Sequence, residues 1–440
     1  MTRAVALFLA LLMTAVPLAG CTGDDTELNA ANDRIAELEA QAEADQASIA
    51  ELEDDNQKML ETTANQAVII NELQGLCCTS EEMENEWFNG YDEGYVTGWN
   101  IGYDTAAATG ETISTLDIIM DRGYMKCGVK DSQYGMGYLD WDTGVYSGLD
   151  IEYCKAIAAA IGLDPDTDIA YILASGSNRF DLLASGEIDV LIRTTTWTTS
   201  RDADLNADFA GMNFFDGQGI LVNMAAHPDA ASALDLDGAS ICVGIGTTTE
   251  GNIADYFAVN GMTYTAVNSE NAGAAKASFE AGECSAWTGD MSAMVAQKWG
   301  LDTTAVPDSA IMPELLSKEP LGAATRDNDD DWNDVVAWVW YGMITAEEYG
   351  LTMANHGAAD MTLPANDRLL NQNLGLGTED NPLPIDWMGR VLNAVGNYGE
   401  AYDRSFCDGD GTHSNCLIDR AGTANDLAAN GGLQFAPPMR

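Results

Sequence analysis

The side chains able to do chemistry in this 440-residue chain are few, and they suggest recognition rather than bond making. Arg201, in WTTSRD, carries a planar guanidinium that can hold a carboxylate through two parallel hydrogen bonds, which lysine cannot copy. Gly246-Thr247-Thr248-Thr249-Glu250 follows a strand-like run and opens a helical pattern, so its backbone N–H groups and the Thr248 hydroxyl can meet a carboxylate at the positive helix end. Thr is also a common helix cap, so that run alone does not decide. Asp290, in WTGDMSA, ends another strand-like run where an acid either caps a helix or meets a cation. No Walker-type phosphate loop is present. Spacing flags no close carboxylate pair. The expectation is a binding protein without catalytic residues or cofactor.

Nine cysteines bear on compartment and cross-linking. The N-terminus has a basic Arg3, an apolar run too short to span a bilayer, and Leu18-Ala19-Gly20-Cys21. This resembles a prokaryotic lipoprotein signal in which Cys21 becomes the lipidated first residue, anchoring the chain on the outer face of the membrane. Setting aside Cys21, Cys77 and Cys78 leaves Cys127, Cys154, Cys242, Cys284, Cys407 and Cys416, an even number in an exported chain. Proximity favours pairing each with its neighbour in that order, although sequence leaves the connectivity open. With no CxxC and three scattered histidines, metal ligation is not expected.

Acids outnumber bases 70 to 19, for a net charge of −51, while 46% of residues are hydrophobic. The apolar content is ample for packed cores, and the shortage of clustered cations excludes nucleic acid as a partner. Only 7 of the 19 cations are Lys and the acids are mostly Asp, a bias that reads as adaptation to salt water. The same acidity inclines a ligand pocket toward neutral or basic molecules.

The elements that must position these residues begin with a stalk. From Leu28 the series Leu28, Ile35, Ala42, Ile49, Asn56, Thr63 and Ile70 recurs every seven residues, and a second series from Ala31 to Leu73 runs three residues behind it. These are the a and d positions of a coiled coil, a rod of roughly 70 Å whose weak seam leaves a homodimer or a homotrimer open. Cys77 continues the a series and would face its copy. Gly90, Gly94, Gly98 and Gly102 then recur at a helical period, each followed by an aromatic residue. The organisation expected is a signal over 1–21, a coiled-coil stalk over 22–78, and a Gly/aromatic segment and linker over 79–110.

From 112 to about 350 short apolar runs alternate with helical patterns, the grammar of an α/β fold. Strands are expected at 125–129, 170–173, 190–193, 241–245, 264–267 and 286–288, and helices at 151–161, 179–184, 250–259, 272–281 and 331–348. Several stretches, among them GLDIEYCKAIAAAIG, RFDLLASGEIDVLIRTTTWTTSRD, NFFDGQGILV, LDGASICVGIGTTTE, LLSKEPLGAATR, AVGNYGEAYDRSF and GGLQFAPPMR, occur in an order that resembles the solute-binding proteins of polar amino-acid ABC transporters, particularly the general L-amino-acid branch. That resemblance implies a two-lobed type II periplasmic-binding-protein (Venus-flytrap) fold that captures an L-amino acid and hands it to the transmembrane subunits of an ABC permease. It implies a first lobe over 112–215 plus 320–440 and a second lobe over 216–319. It also implies roles: Arg201 for the α-carboxylate, Asp290 for the α-ammonium, Thr194, Thr196, Thr247 and Thr248 as polar contacts, Tyr134 against the ligand and Trp197 as a pocket wall. Phe215, Asp216 and Gln218 are hinge or rim candidates. A cyclohexadienyl-dehydratase-like enzyme on the same fold, or a ligand-sensing surface protein, is the alternative.

Overall fold

The computed structural model describes residues 113–440. The signal with Cys21, the coiled-coil stalk, Cys77 and the Gly/aromatic segment lie outside the described residues. The strands are β1 (Met125–Val129), β2 (Ser132–Gln133), β3 (Gly137–Asp140), β4 (Val145–Ser147), β5 (Ile169–Leu173), β6 (Val190–Leu191), β7 (Ala207–Phe209), β8 (Phe214–Asn223), β9 (Ser240–Gly244), β10 (Thr265–Ser269), β11 (Ala286–Asp290), β12 (Ser309–Ile311), β13 (Lys318–Leu321) and β14 (Ala324–Arg326). The α-helices are α1 (Thr115–Arg122), α2 (Leu149–Ile161), α3 (Arg179–Ala184), α4 (Thr199–Asp204), α5 (Thr248–Val259), α6 (Ala272–Glu280), α7 (Met291–Trp299), α8 (Asp330–Glu348), α9 (Pro364–Asn371), α10 (Trp387–Ala394) and α11 (Tyr398–Phe406).

Two mixed sheets organise the chain. The first has the order β5-β1-β6-β14-β7, with β1 parallel to β5 and β6, and β14 antiparallel to β6 and β7. The second runs β10-β9-β11-β8-β12, with β9 parallel to β10 and β11, and β8 antiparallel to β11 and β12. A small sheet, β2-β3-β4, stands beside the first. The inner parallel strands β1 and β9 are mostly buried because helices cover both faces, whereas the edge strands β5 and β10 stay partly exposed.

The connection between the sheets is a two-stranded ribbon. Strand β8 is 10 residues long. Its residues 214–217 pair with β13, and its residues 218–223 pair with β11 and β12. The chain thus leaves the first lobe along β8 and returns along β13, and two antiparallel crossings can bend together as a hinge.

Helix α2, LDIEYCKAIAAAI, buries 11 of its 13 residues because its alanines permit close approach to α8 and α10. Its core gathers Leu116 near the start of the described chain, Trp332 and Trp340 from α8, Trp387 from α10 and Met439 near the end. Buried polar edges are satisfied as well: Trp332 Nε1 donates to Asp189 O at 2.9 Å, and Tyr153 OH donates to Val336 O at 2.7 Å. The second lobe has two smaller cores, one including Ile253 and Phe257 of α5 and the other Phe279 and Trp287.

All the strands and helices read from apolar runs are present, with ends displaced by a couple of residues. Elements with weaker signals were not anticipated. Strand β8 carries Gly217 and Gly219 within its pattern, helix α7 starts directly at the end of β11 without a turn residue, and α9 to α11 are short.

Three disulfides join Cys127 to Cys154, Cys242 to Cys284 and Cys407 to Cys416. The first ties β1 to α2, and the second ties β9 to the approach of β11. Cys242 and Cys284 are 42 residues apart, so removing their link frees a long loop in the unfolded chain. A Cys242→Ala/Cys284→Ala variant is expected to lose about 3 to 4 kcal/mol in urea unfolding; an unchanged midpoint would contradict this account of the second lobe.

Candidate functional site

Between the two sheets lies a cavity of about 680 Å³, lined from both lobes. Arg201, Thr194, Thr196, Thr247, Thr248, Asp290 and Tyr134 all border it. Trp197 does not. It stacks on Phe209 with centroids 5.3 Å apart and borders a separate cavity, so the expected pocket wall is corrected to a packing residue. The physical reason is alternation beyond the bend at Thr194: Thr196 bridges Leu321 in extended backbone and faces the cleft, so its neighbour Trp197 faces away.

Arg201 sits in the first turn of α4, which Thr198 caps by accepting from Arg201 N at 3.3 Å. Its Nη1 donates to Thr196 O at 2.8 Å, and Phe180 stands beneath the guanidinium, 5.6 Å from Cζ to the ring centroid. That fixes the group from behind and leaves its other donors without an acceptor among the described residues. Thr194 has φ 44°, a left-handed conformation unusual for a β-branched residue. It is held there by its N–H, which donates to the buried Asp150 carboxylate at 3.0 Å. Strain of this kind persists where surroundings over-determine it, as at ligand sites.

Thr247 caps α5. Its Oγ1 accepts from Glu250 N at 3.3 Å and donates to Gly244 O at 2.7 Å. The N–H groups of Thr248 and Thr249 precede the first intrahelical acceptor and begin the helix at the cavity. Asp290 occupies the capping position of α7 but makes no capping hydrogen bond. Asp216 does that work instead, its carboxylate accepting from Ser292 N at 3.3 Å. With the helix end served from the hinge strand, the Asp290 carboxyl is left to the cavity.

Sequence reasoning missed five residues here. Lys130, Arg179 and Arg193 border the cavity, Asp150 lies behind Thr194, and Glu319 on β13 accepts from Thr196 Oγ1 at 2.6 Å and Thr248 Oγ1 at 2.7 Å. A signal did exist: three of the chain's 12 arginines fall between 179 and 201. Arg179 and Arg193 are only 2% and 9% exposed, their Nε atoms find no acceptor among the described residues, and both feel the charge of Asp290. The net acidity of the chain therefore stops at the cleft.

Burial dominates the electrostatics. It pushes Lys130 down to about 8 and Arg193 down to about 10, and lowers Arg179 and Arg201 as well. It raises Asp150 to about 6. Asp290 and Asp216 are both pushed above the ordinary carboxylate range by burial, and each is raised further by a nearby acid, Glu319 for the first and Asp290 for the second.

Two α/β lobes joined by a double crossing around a charged polar cleft define the type II periplasmic-binding-protein fold. Within that class the chain belongs to the bacterial extracellular solute-binding proteins, family 3, whose sequence pattern matches residues 125–356. It is 42% identical over 329 residues to the glutamate/glutamine/aspartate/asparagine-binding protein of Rhodobacter capsulatus, covering 74% of this chain and 94% of the relative. It is 40% identical over 346 residues to the general L-amino acid-binding periplasmic protein of Rhizobium johnstonii, covering 77% of this chain and 95% of the relative. A solved periplasmic binding protein from Brucella ovis with glutathione bound superposes with a TM-score of 0.69 at 40% identity, over 75% of this chain and 100% of that one. These relatives are binding proteins, not enzymes. Among the described residues no helix is long and apolar enough to cross a membrane.

The raised carboxyls set a pH dependence. A folded state that holds protons more tightly than the unfolded chain loses stability as pH rises through the raised values. The melting temperature of the wild type minus that of Asp290→Asn should therefore be largest below about pH 4 and fall as pH rises through about 6. A difference that stays flat would show that Asp290 ionises freely in the fold.

Proposed function

We propose that this protein captures an L-amino acid between its lobes and delivers it to an ABC-type amino-acid permease. Arg201 takes the α-carboxylate together with the amides that open α5, and Asp290 takes the α-ammonium. Thr194, Thr196, Thr247 and Thr248 supply the polar surround, and Tyr134 closes the mouth. The ligand favours closure only by its higher affinity for the closed state.

The single observation that carries a side-chain class is the pair of buried guanidiniums, Arg179 and Arg193, whose Nε atoms find no acceptor among the described residues. A buried cation is costly unless paired, so these two favour a ligand with a second carboxylate or an amide carbonyl. The named specificity of the Rhodobacter relative, glutamate, glutamine, aspartate and asparagine, supports the same class. Isothermal titration with the twenty common amino acids is expected to give the tightest binding for acidic and amide side chains. Arg201→Ala should weaken all of them at least tenfold, as loss of a charged hydrogen bond does. Arg179→Ala should weaken acidic ligands far more than neutral ones. Equal affinity for lysine and glutamate, or no effect of Arg201→Ala, would contradict the proposal.

The N-terminal features complete the reading. Cys21 is taken as the lipid anchor, and the heptads over 22–78 as a stalk that joins two or three copies and holds the clamps off the membrane. Sedimentation of the chain with and without residues 22–110 tests this: the longer form should be a dimer or trimer and the shorter a monomer. A monomer in both forms would remove the stalk's assembly role.

A further inference from the structure

Glu319 is 1% exposed and sits on β13, one of the two hinge crossings. Its Oε2 accepts from Thr196 Oγ1 of the first lobe at 2.6 Å and from Thr248 Oγ1 of the second at 2.7 Å. Its Oε1 is taken by Asn252 Nδ2 at 2.7 Å and by the Ser317 hydroxyl. The two threonine oxygens are 3.4 Å from each other, farther than either is from the carboxylate. A hydroxyl has one hydrogen and two lone pairs, and a carboxylate can only accept. Both hydroxyl hydrogens are therefore committed to Glu319, and each threonine oxygen turns only lone pairs toward the cavity that both residues line.

We infer that Glu319 is a positioning residue that makes the Thr196 and Thr248 hydroxyls acceptors, so that the site selects an ammonium group. This rests on the reading of the cavity as an α-amino-acid site. The Asp290 carboxyl, which makes no capping hydrogen bond and feels the charge of Lys130, Arg193 and Arg179, lines the same cavity, so that with the two hydroxyls three acceptors border it for the three N–H bonds of an α-ammonium. The ligand carboxylate gets no donor from either hydroxyl and depends on Arg201 and the helix-opening amides. Thr248 was first read as a hydroxyl donor to a carboxylate; Glu319 reverses its polarity. An α-hydroxy acid offers one donor to the same three acceptors and leaves buried lone pairs unmatched.

The test is calorimetric titration of the full chain with L-glutamate and with L-2-hydroxyglutarate, for the wild type, Glu319→Gln and Thr196→Val. The wild type should prefer the amino acid strongly. In Glu319→Gln an amide N–H₂ replaces one carboxylate oxygen and donates, turning a threonine hydrogen into the cavity. Affinity for glutamate should fall about tenfold or more while that for the hydroxy acid changes little, so the ratio collapses. A purely structural role would weaken both ligands alike, and an unchanged ratio overturns the inference. If circular dichroism shows Glu319→Gln unfolded, Thr196→Val, which keeps Glu319 and deletes one acceptor, reads the same ratio, and its constancy overturns the inference equally. A wild type that binds neither compound overturns the amino-acid reading itself, an outcome distinct from binding with an unchanged ratio.

Discussion

Charge taken out of water is the constraint around which this clamp is built. Lys130, Arg179, Arg193 and Arg201 on one side, and Asp150, Asp216, Asp290 and Glu319 on the other, are brought into and around one cleft of a protein that otherwise spreads acids over its surface. Such charges are tolerated only when hydrogen-bonded or paired. Asp150 is used to hold a strained backbone, Asp216 to cap a helix and Glu319 to gather hydroxyls from both lobes. Arg179, Arg193 and Asp290 lie close enough to feel one another's charge but make no side-chain hydrogen bond among the described residues, and a zwitterion carrying a further acid or amide supplies those bonds.

The lobes meet through small and polar contacts rather than through a shared apolar core. Gly176 and Gly246 bring backbones together: a Cβ on Gly176 would lie 2.8 Å from Ile245 O, and one on Gly246 would lie 3.1 Å from Gly176 O. Gln133 Nε2 donates to Ser292 Oγ at 2.8 Å, Gln297 Nε2 donates to Ser132 O at 2.9 Å, and Tyr134 stacks on Trp299 with centroids 4.8 Å apart. Hydrogen bonds of this type exchange with water at a net of about 1 kcal/mol each, so the closed form can reopen. The hydrophobic clusters stay within the lobes, where opening does not disturb them.

Much of this was legible in the amino-acid pattern because periodicity reports burial. The runs that became β1, β9 and β11 are apolar for the reason that inner strands are covered on both faces, and α2 and α8 announced themselves by length. Arg201, Asp290 and the threonines of GTTTE could be picked out because each stands at a strand or helix end in a quotable stretch. Glu319 stands in a stretch just as quotable, LLSKEPLGAATR, but its role could not be read there, since the hydroxyls it gathers, Thr196 and Thr248, lie 123 and 71 positions away. Trp197 failed for the opposite reason: proximity in sequence to two cleft threonines says nothing of which side of an extended segment it takes.

The orientation of a bound ligand is the central claim, and a crystal structure of the protein with L-glutamate reports it directly. The account predicts the α-carboxylate against Arg201 and the start of α5, the α-ammonium against Asp290, Thr196 and Thr248, and the side-chain carboxylate against Arg179 or Arg193. A ligand lying the other way round, with its ammonium turned to the three arginines or its α-carboxylate on the threonine hydroxyls, would contradict it.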